Sequence, residues 1–154
     1  MTLACVTSVK IMNGKVTIRS ARAGDKRQIK ALLKKTSGVW QKWWRETAVG
    51  QALKSAGRHA LVACRGKKIV GFACFHDVGF RAYLSEMVVD ESEQGRGIGT
   101  ELLKKGEAIL AADKCQLIVA DVYPPAEGFY TKYGWGKPHA VLMSKVTTGG
   151  RLKK

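Results

Sequence analysis

Met87-Val88-Val89-Asp90-Glu91-Ser92-Glu93-Gln94-Gly95-Arg96-Gly97-Ile98-Gly99-Thr100 is the stretch that decides how this chain reads. An apolar strand end runs into a turn with three alternating glycines. An amphipathic helix then covers about Gly97–Ala112. Glycines let backbone N–H groups come close to a ligand. The helix start adds unpaired donors and the positive end of the macrodipole. Together they predict an anion cradle over Gly95, Arg96, Gly97, Ile98, Gly99 and Thr100, sized for a diphosphate. Gln94 and Arg96 are placed to assist it. Two familiar phosphate motifs do not fit. A P-loop needs Lys-Ser/Thr after its last glycine, and none follows Gly99. Gly95-x-Gly97-x-Gly99 also lacks the spacing of the dinucleotide fingerprint.

Working outward, turn signals recur at short intervals, and no repeat or linker interrupts them. Asn13-Gly14 reads as a hairpin turn before a strand at Val16–Arg19. Asp25 is placed to cap a helix carrying Ile29, Leu32 and Leu33, ended by Gly38. A second helix is expected over Val39 to about Lys54, putting Trp40 and Trp44 on one face. Strands are expected at His59–Cys64, Ile69–His76 and Arg81–Val89. Past the central helix, Gln116–Val122 reads as a strand covered on both faces. Tyr123-Pro124-Pro125 opens a short helix to about Lys132, and Ala140–Val146 reads as a last strand. The order implies a mixed α/β (α+β) fold with helices packed on a sheet. Residues 1–154 read as one domain.

Composition agrees. The chain has 154 residues, 45% hydrophobic and 25% charged. That suits a soluble globule burying roughly 70% of its unfolded surface. No apolar run reaches a membrane span of roughly 18 residues. The opening Met1-Thr2-Leu3-Ala4-Cys5-Val6 lacks the pattern of a signal peptide. Cys5, Cys64, Cys74 and Cys115 form no C-x-x-C pair, so free thiols in a reducing cytoplasm are expected, with no metal site. Net charge is +15. Residues 1–60 hold 13 Lys/Arg against 2 acids, a net of +11, which suits an acidic partner or a solvated face.

Gln94-x-x-Gly97-x-Gly99 after an apolar strand resembles the acetyl-CoA motif of the GNAT N-acetyltransferase superfamily. Ala126-Glu127-Gly128-Phe129-Tyr130-Thr131-Lys132-Tyr133-Gly134-Trp135 resembles that family's second motif, and Val16–Ala21 with Asp25 looks like its first strand and helix. The resemblance spans about residues 16–146. It implies a mostly antiparallel central sheet with helices on both faces and acetyl-CoA as co-substrate, with no metal. It implies direct attack of an amine on the thioester. Pantetheine would pair with backbone near Met87 and Val89, and an N–H near Met87 or Val88 would stabilise the oxyanion. Tyr130 stands where the family has its general acid; from its residue type alone it is an aromatic anchoring its helix. For the base the candidates are Glu86, water or Asp121. Strand alternation sets Glu86 opposite Tyr83, Ser85 and Met87 unless a bulge re-aims it. Tyr123 departs from an Asn that contacts coenzyme in many members.

The resemblance also places Trp40, Trp43 and Trp44 at the acceptor wall, with at least one expected to be core. The segment Tyr83-Leu84-Ser85-Glu86, with Phe129-Tyr130, is similar to the spermidine/spermine acetyltransferase branch. A wall of net +11 repels polyamines, so acidic amino compounds, an amino acid or a peptide amine are expected instead. A homodimer is plausible by resemblance. The alternative is a basic nucleic-acid- or ribosome-binding module that uses coenzyme A as a regulator. It lacks a supporting RNA-binding signature.

Overall fold

Val16 and Ile18 alternate with Thr17 and Arg19, the period that buries one face of a strand. They lie in β2 (Gly14–Ser20), and both are buried. The computed structural model describes residues 6–11 and 14–148; Cys5, and Asn13 of the expected hairpin, lie outside them. β2 pairs antiparallel with β1 (Thr7–Ile11), a strand the sequence reading did not anticipate. β1 alternates half-buried and exposed residues at the sheet edge, so its apolar signal is weak. β3 (Ala60–Arg65), β4 (Lys68–Asp77) and β5 (Ala82–Val89) continue the sheet, each antiparallel to the one before. β6 (Ile118–Ala120) completes the order β1-β2-β3-β4-β5-β6.

Helices cover both faces, as the resemblance implied. α1 (Lys26–Lys35) and α2 (Ala48–Ala56) bury Ile29, Leu32, Leu33, Val49 and Ala56 against Val62, Phe72, Cys74 and Val88. α3 (Ile98–Ala112) covers the other face with Ile98, Leu102, Leu103 and Leu110. It approaches β4 closely at two points. A Cβ on Gly71 would meet Leu102 and Ile98, and one on Gly106 would meet the Phe75 ring.

Several expectations are corrected. The second helix begins at Ala48, not Val39. Residues 39–47 instead form turns, held by Trp44 N–H to the Gln41 carbonyl and the Gln41 side chain to the Gly38 carbonyl. Trp rings are modest helix formers, and here they serve a cavity wall rather than a helix stripe. Asp25 does not cap α1 with its side chain. Its carboxylate accepts the Arg22 N–H at 2.7 Å and binds Arg19 through two bonds, 2.6 and 2.9 Å, which locks the preceding single turn. α1 ends at Lys35 with Thr36 as its C-cap, short of Gly38. Lastly, β6 keeps three of the seven residues expected, all only half-buried. It is an edge strand, and edges are short.

The chain divides into two compact units, 1–119 and 120–154. In the second, Pro124–Ala126 make a single turn before α4 (Glu127–Lys132). The expected strand at 140–146 is absent; Val141, Leu142 and Met143 are exposed there and bury no face.

Candidate active site

β5 carries the decisive irregularity. Cys74 pairs with Glu86, but Phe75 pairs with Leu84. Ser85 is the residue left over, a bulge in the strand. Plain alternation would send Ser85 and Glu86 to opposite faces. The bulge instead brings both to one cavity of about 330 Å3, beneath α1 and α2. Its walls include Trp40, Trp43, Trp44 and Arg45. Sequence reasoning left the bulge as an open condition on Glu86; the register resolves it.

The tryptophans divide their work. Trp40 is partly buried against the core, and the Lys30 and Lys34 ammonium groups lie over its ring at 5.8 and 4.9 Å. Trp44 meets it edge-on, with ring centroids 5.4 Å apart. Trp43 is 70% exposed at the mouth. The expectation that at least one of them is core is corrected: Trp40 packs against the core without being buried in it, and all three line the cavity. Arg45 is exposed on the same loop, a residue the sequence reading did not single out.

The basic wall is partly neutralised. Glu46 binds Lys30 at 2.5 Å and Lys34 at 3.4 Å, and Arg19 is taken by Asp25. Of the charged groups around the cavity, Arg45 and Glu86 are the two that line it.

At the other end of β5, Met87, Val88 and Val89 pair with Ala73, Phe72 and Gly71. Val88 is core, and it stands opposite Phe72 two residues before Asp90, whose N–H bonds the Val70 carbonyl, so its backbone groups face β4 while those of Met87 and Val89 face away from it. The strand then enters the cradle. Gly95 and Gly97 take φ of +73° and +91°, a region that disfavours other residues. Gly97 is the N-cap of α3, and the first helical bond runs from Glu101 N–H to its carbonyl. The amides of Ile98, Gly99 and Thr100 precede that bond and form the anion-facing start of the helix. A coenzyme diphosphate fits donors of this kind.

Side chains fasten the cradle. Asp90 is 2% exposed. It accepts from the Ser92 hydroxyl at 2.8 Å, the Ser92 N–H at 3.1 Å and the Lys35 ammonium at 3.0 Å. The Ser92 hydroxyl chiefly, with Lys35 and Lys68, holds its carboxyl far below the usual range despite burial. Gln94 donates to the Val89 carbonyl at 3.1 Å, so it braces the turn itself. Glu93 binds Arg65 through two bonds, 2.9 and 2.8 Å, and Arg96 at 3.2 Å. Arg96 is thus fixed in place, with part of its charge met. Asp90 and Glu93 lay inside the motif that sequence analysis quoted, but their spacing alone gave no sign of this bracing.

In the second unit, Tyr130 is half-buried between Phe129 and Trp135, each ring 5.2 Å away and edge-on. Burial pushes its hydroxyl up to about 12, so it stays protonated at neutral pH. Tyr123 is 76% exposed. Asp121 lies past the end of β6 rather than on a strand, and it is exposed. Among the described residues no group of three or more His, Cys, Asp or Glu is placed to hold a metal. No helix among them is long and apolar enough to cross a membrane.

No curated protein matches the sequence. Solved structures do match the fold. A transcriptional regulator from Bacillus halodurans C-125 aligns with TM-score 0.69 at 23% identity, covering 85% of this chain and 99% of its own. A predicted acetyltransferase with acetyl-CoA from Clostridium acetobutylicum aligns with TM-score 0.71 at 15% identity, covering 84% and 96%. Glucosamine-6-phosphate N-acetyltransferase from Arabidopsis thaliana aligns with TM-score 0.66 at 17% identity, covering 86% and 99%. At such identities the likeness is one of fold. Residues 26–135 match the acetyltransferase (GNAT) family, a span that takes in the bulged strand, the cradle and the Tyr130 segment. The chain therefore belongs to the GNAT family and is an N-acetyltransferase.

Proposed function

We propose that the protein transfers the acetyl group of acetyl-CoA to the primary amine of an amino acid or short peptide with an apolar body. The observation that carries this is the bulge at Ser85, which sets Glu86 in a tryptophan-walled cavity beside Arg45. Glu86 holds the acceptor's ammonium by charge. Arg45 receives a carboxylate, and the indoles cover the apolar body. A polyamine has no group for Arg45 and meets the cations of α1 on approach.

The co-substrate's diphosphate sits on the amides from Gly95 to Thr100, with Arg96 nearby and Gln94 keeping the turn in shape. Its pantetheine lies along the backbone of Met87 and Val89, and Tyr123 contacts the coenzyme. The amine attacks the thioester carbonyl directly. Of the two candidate amides, Met87 N–H receives the developing oxyanion as a fixed dipole, because Val88 faces β4. Tyr130 gives its proton to the departing thiolate, the part the family gives to the tyrosine of its second motif. Buried free thiols at Cys64 and Cys74 support a reducing, cytoplasmic setting.

Thiol release from acetyl-CoA tests the reading. The panel holds aromatic amino acids, dipeptides, the matching decarboxylated amines and spermidine. A salt-titrated nucleic-acid shift runs beside it. Amino acids and dipeptides should turn over fastest, and Arg45→Ala should erase their advantage over the decarboxylated amines. Preference for spermidine overturns the acceptor. Tight nucleic-acid binding with no turnover of any amine overturns the whole assignment.

A further inference from the structure

We propose that His76 is a positioning residue for acetyl transfer: it holds the Ser85 hydroxyl at the cavity and takes the acceptor's proton through it. The inference rests on reading the tryptophan-walled cavity as the acceptor site.

Ser85 lines that cavity. Its Oγ lies 2.9 Å from His76 Nε2. The other ring nitrogen, Nδ1, lies 2.9 Å from Ser55 Oγ on the exposed surface of α2. A continuous line of hydrogen bonds thus runs from the cavity, through one imidazole, to solvent. A neutral imidazole carries one N–H. With that hydrogen on Nδ1, donated to Ser55, Nε2 can accept the Ser85 hydroxyl and, at 2.9 Å, is the nearer acceptor than the Cys74 carbonyl at 3.4 Å. The tautomer that completes the line is the one able to receive a proton from the cavity side.

The surroundings suit a base. Ser55 faces His76 from α2. Tyr83 opposes it on β5, beside Ser85 and Glu86, and Cys74 lies on its own strand. Cys74 Sγ is 3.4 Å from Nε2, but burial pushes that thiol up to about 12, so it stays a neutral neighbour. Burial lowers the imidazole from its ordinary value and keeps it unprotonated at neutral pH. Glu86 lines the cavity beside Ser85, where its negative charge holds the ammonium while the Ser85–His76 line takes the proton.

The bound ammonium first gives one proton to Ser85 Oγ as the Ser85 proton passes to His76 Nε2, and the imidazolium gives its Nδ1 proton to solvent at Ser55. The freed lone pair forms the C–N bond while the carbonyl π pair moves onto oxygen. The oxygen pair then re-forms the carbonyl, the C–S bond breaks, and the thiolate takes a proton from Tyr130. The nitrogen's second proton returns through water to the Tyr130 phenolate, and exchange with solvent restores the Nδ1–H tautomer of His76.

The test is kcat/KM against pH for the wild type, His76→Gln and Ser85→Ala. General-base loss costs roughly a hundredfold to ten-thousandfold, less where water can substitute. Both variants should lose at least about tenfold at pH 7.5, with KM for acetyl-CoA unchanged. The acidic limb of the wild-type profile should be gone from both. Loss below about twofold, or an acidic limb that stays in place in His76→Gln, overturns the proposal. Nitrogen-15 NMR of the His76 ring reads it independently of turnover. The Nδ1–H tautomer is expected, and the Nε2–H tautomer refutes the relay. If the wild type acetylates no amine, the reading of the cavity falls, while the ring tautomer still decides the hydrogen-bond line.

Discussion

Gly106→Ala gives a direct test of how α3 is seated. A methyl group there would lie 2.1 Å from Phe75 Cε2, 2.4 Å from Cζ and 2.8 Å from Cδ2. Carbon atoms rest at about 3.5–4.0 Å, so helix and ring must separate by about 1.5 Å. Phe75 is fully buried and has no open side to move into. Helix propensity alone predicts the opposite sign, because Ala is better than Gly by about 1 kcal/mol in a helix interior. Overpacking in a tight core costs typically ~1–3 kcal/mol and sometimes more. The enforced shift puts this site at the upper end, so a net loss of about 1–2 kcal/mol is expected after the propensity gain. For a chain of this length that lowers Tm by roughly 3–8 °C. Urea unfolding at fixed m gives the free energy. Phe75→Leu, which shortens the obstructing ring, should couple favourably with Gly106→Ala by at least ~1 kcal/mol in a double-mutant cycle. Because the same helix begins at the cradle, KM for acetyl-CoA should rise in the single variant. A Gly106→Ala protein as stable as the wild type, or more so, would refute the close approach of α3 to β4.

Two further predictions concern the turn and the acid. Asp90 has its carboxyl held below the unfolded value, near 3.9, so its contribution is present above about pH 4 and is lost as pH falls through and below that value. Asp90→Asn should cost ~1.5–3 kcal/mol at pH 7, the worth of charge-assisted bonds, and raise KM for acetyl-CoA. The gap to wild type should shrink at pH 3; a gap that persists there contradicts the carboxylate argument. Tyr130→Phe should lower kcat by about one to two orders of magnitude with KM for acetyl-CoA little changed. Unaltered turnover removes the hydroxyl from the mechanism.

Much of the architecture is local and could be read from the residues. The three middle strands, α3 and its glycine turn follow from apolar periodicity and turn chemistry, which short windows display. Elements whose stability comes from neighbours were harder. β1 alternates only weakly, and β6 carries more apolar sequence than it pairs. Residues 39–47 have helix-like spacing of aromatics but form turns, because their rings fill a wall beneath α1.

The site divides in the same way. The cradle was legible because backbone donors need only glycines and a helix start, both contiguous in the chain. The same holds for the segment carrying Tyr130. The direction of Glu86 was not legible, since a single extra residue in β5 reverses alternation and shows itself only in pairing with β4. The meeting of Ser55, His76 and Ser85 needs α2 stacked over two strands, so no window of sequence contains it. The family, the three middle strands and the glycine turn into α3 follow from residues contiguous in the chain. Which side chains share the cavity is settled by strand register and by packing between residues far apart in the chain, and no local pattern records either.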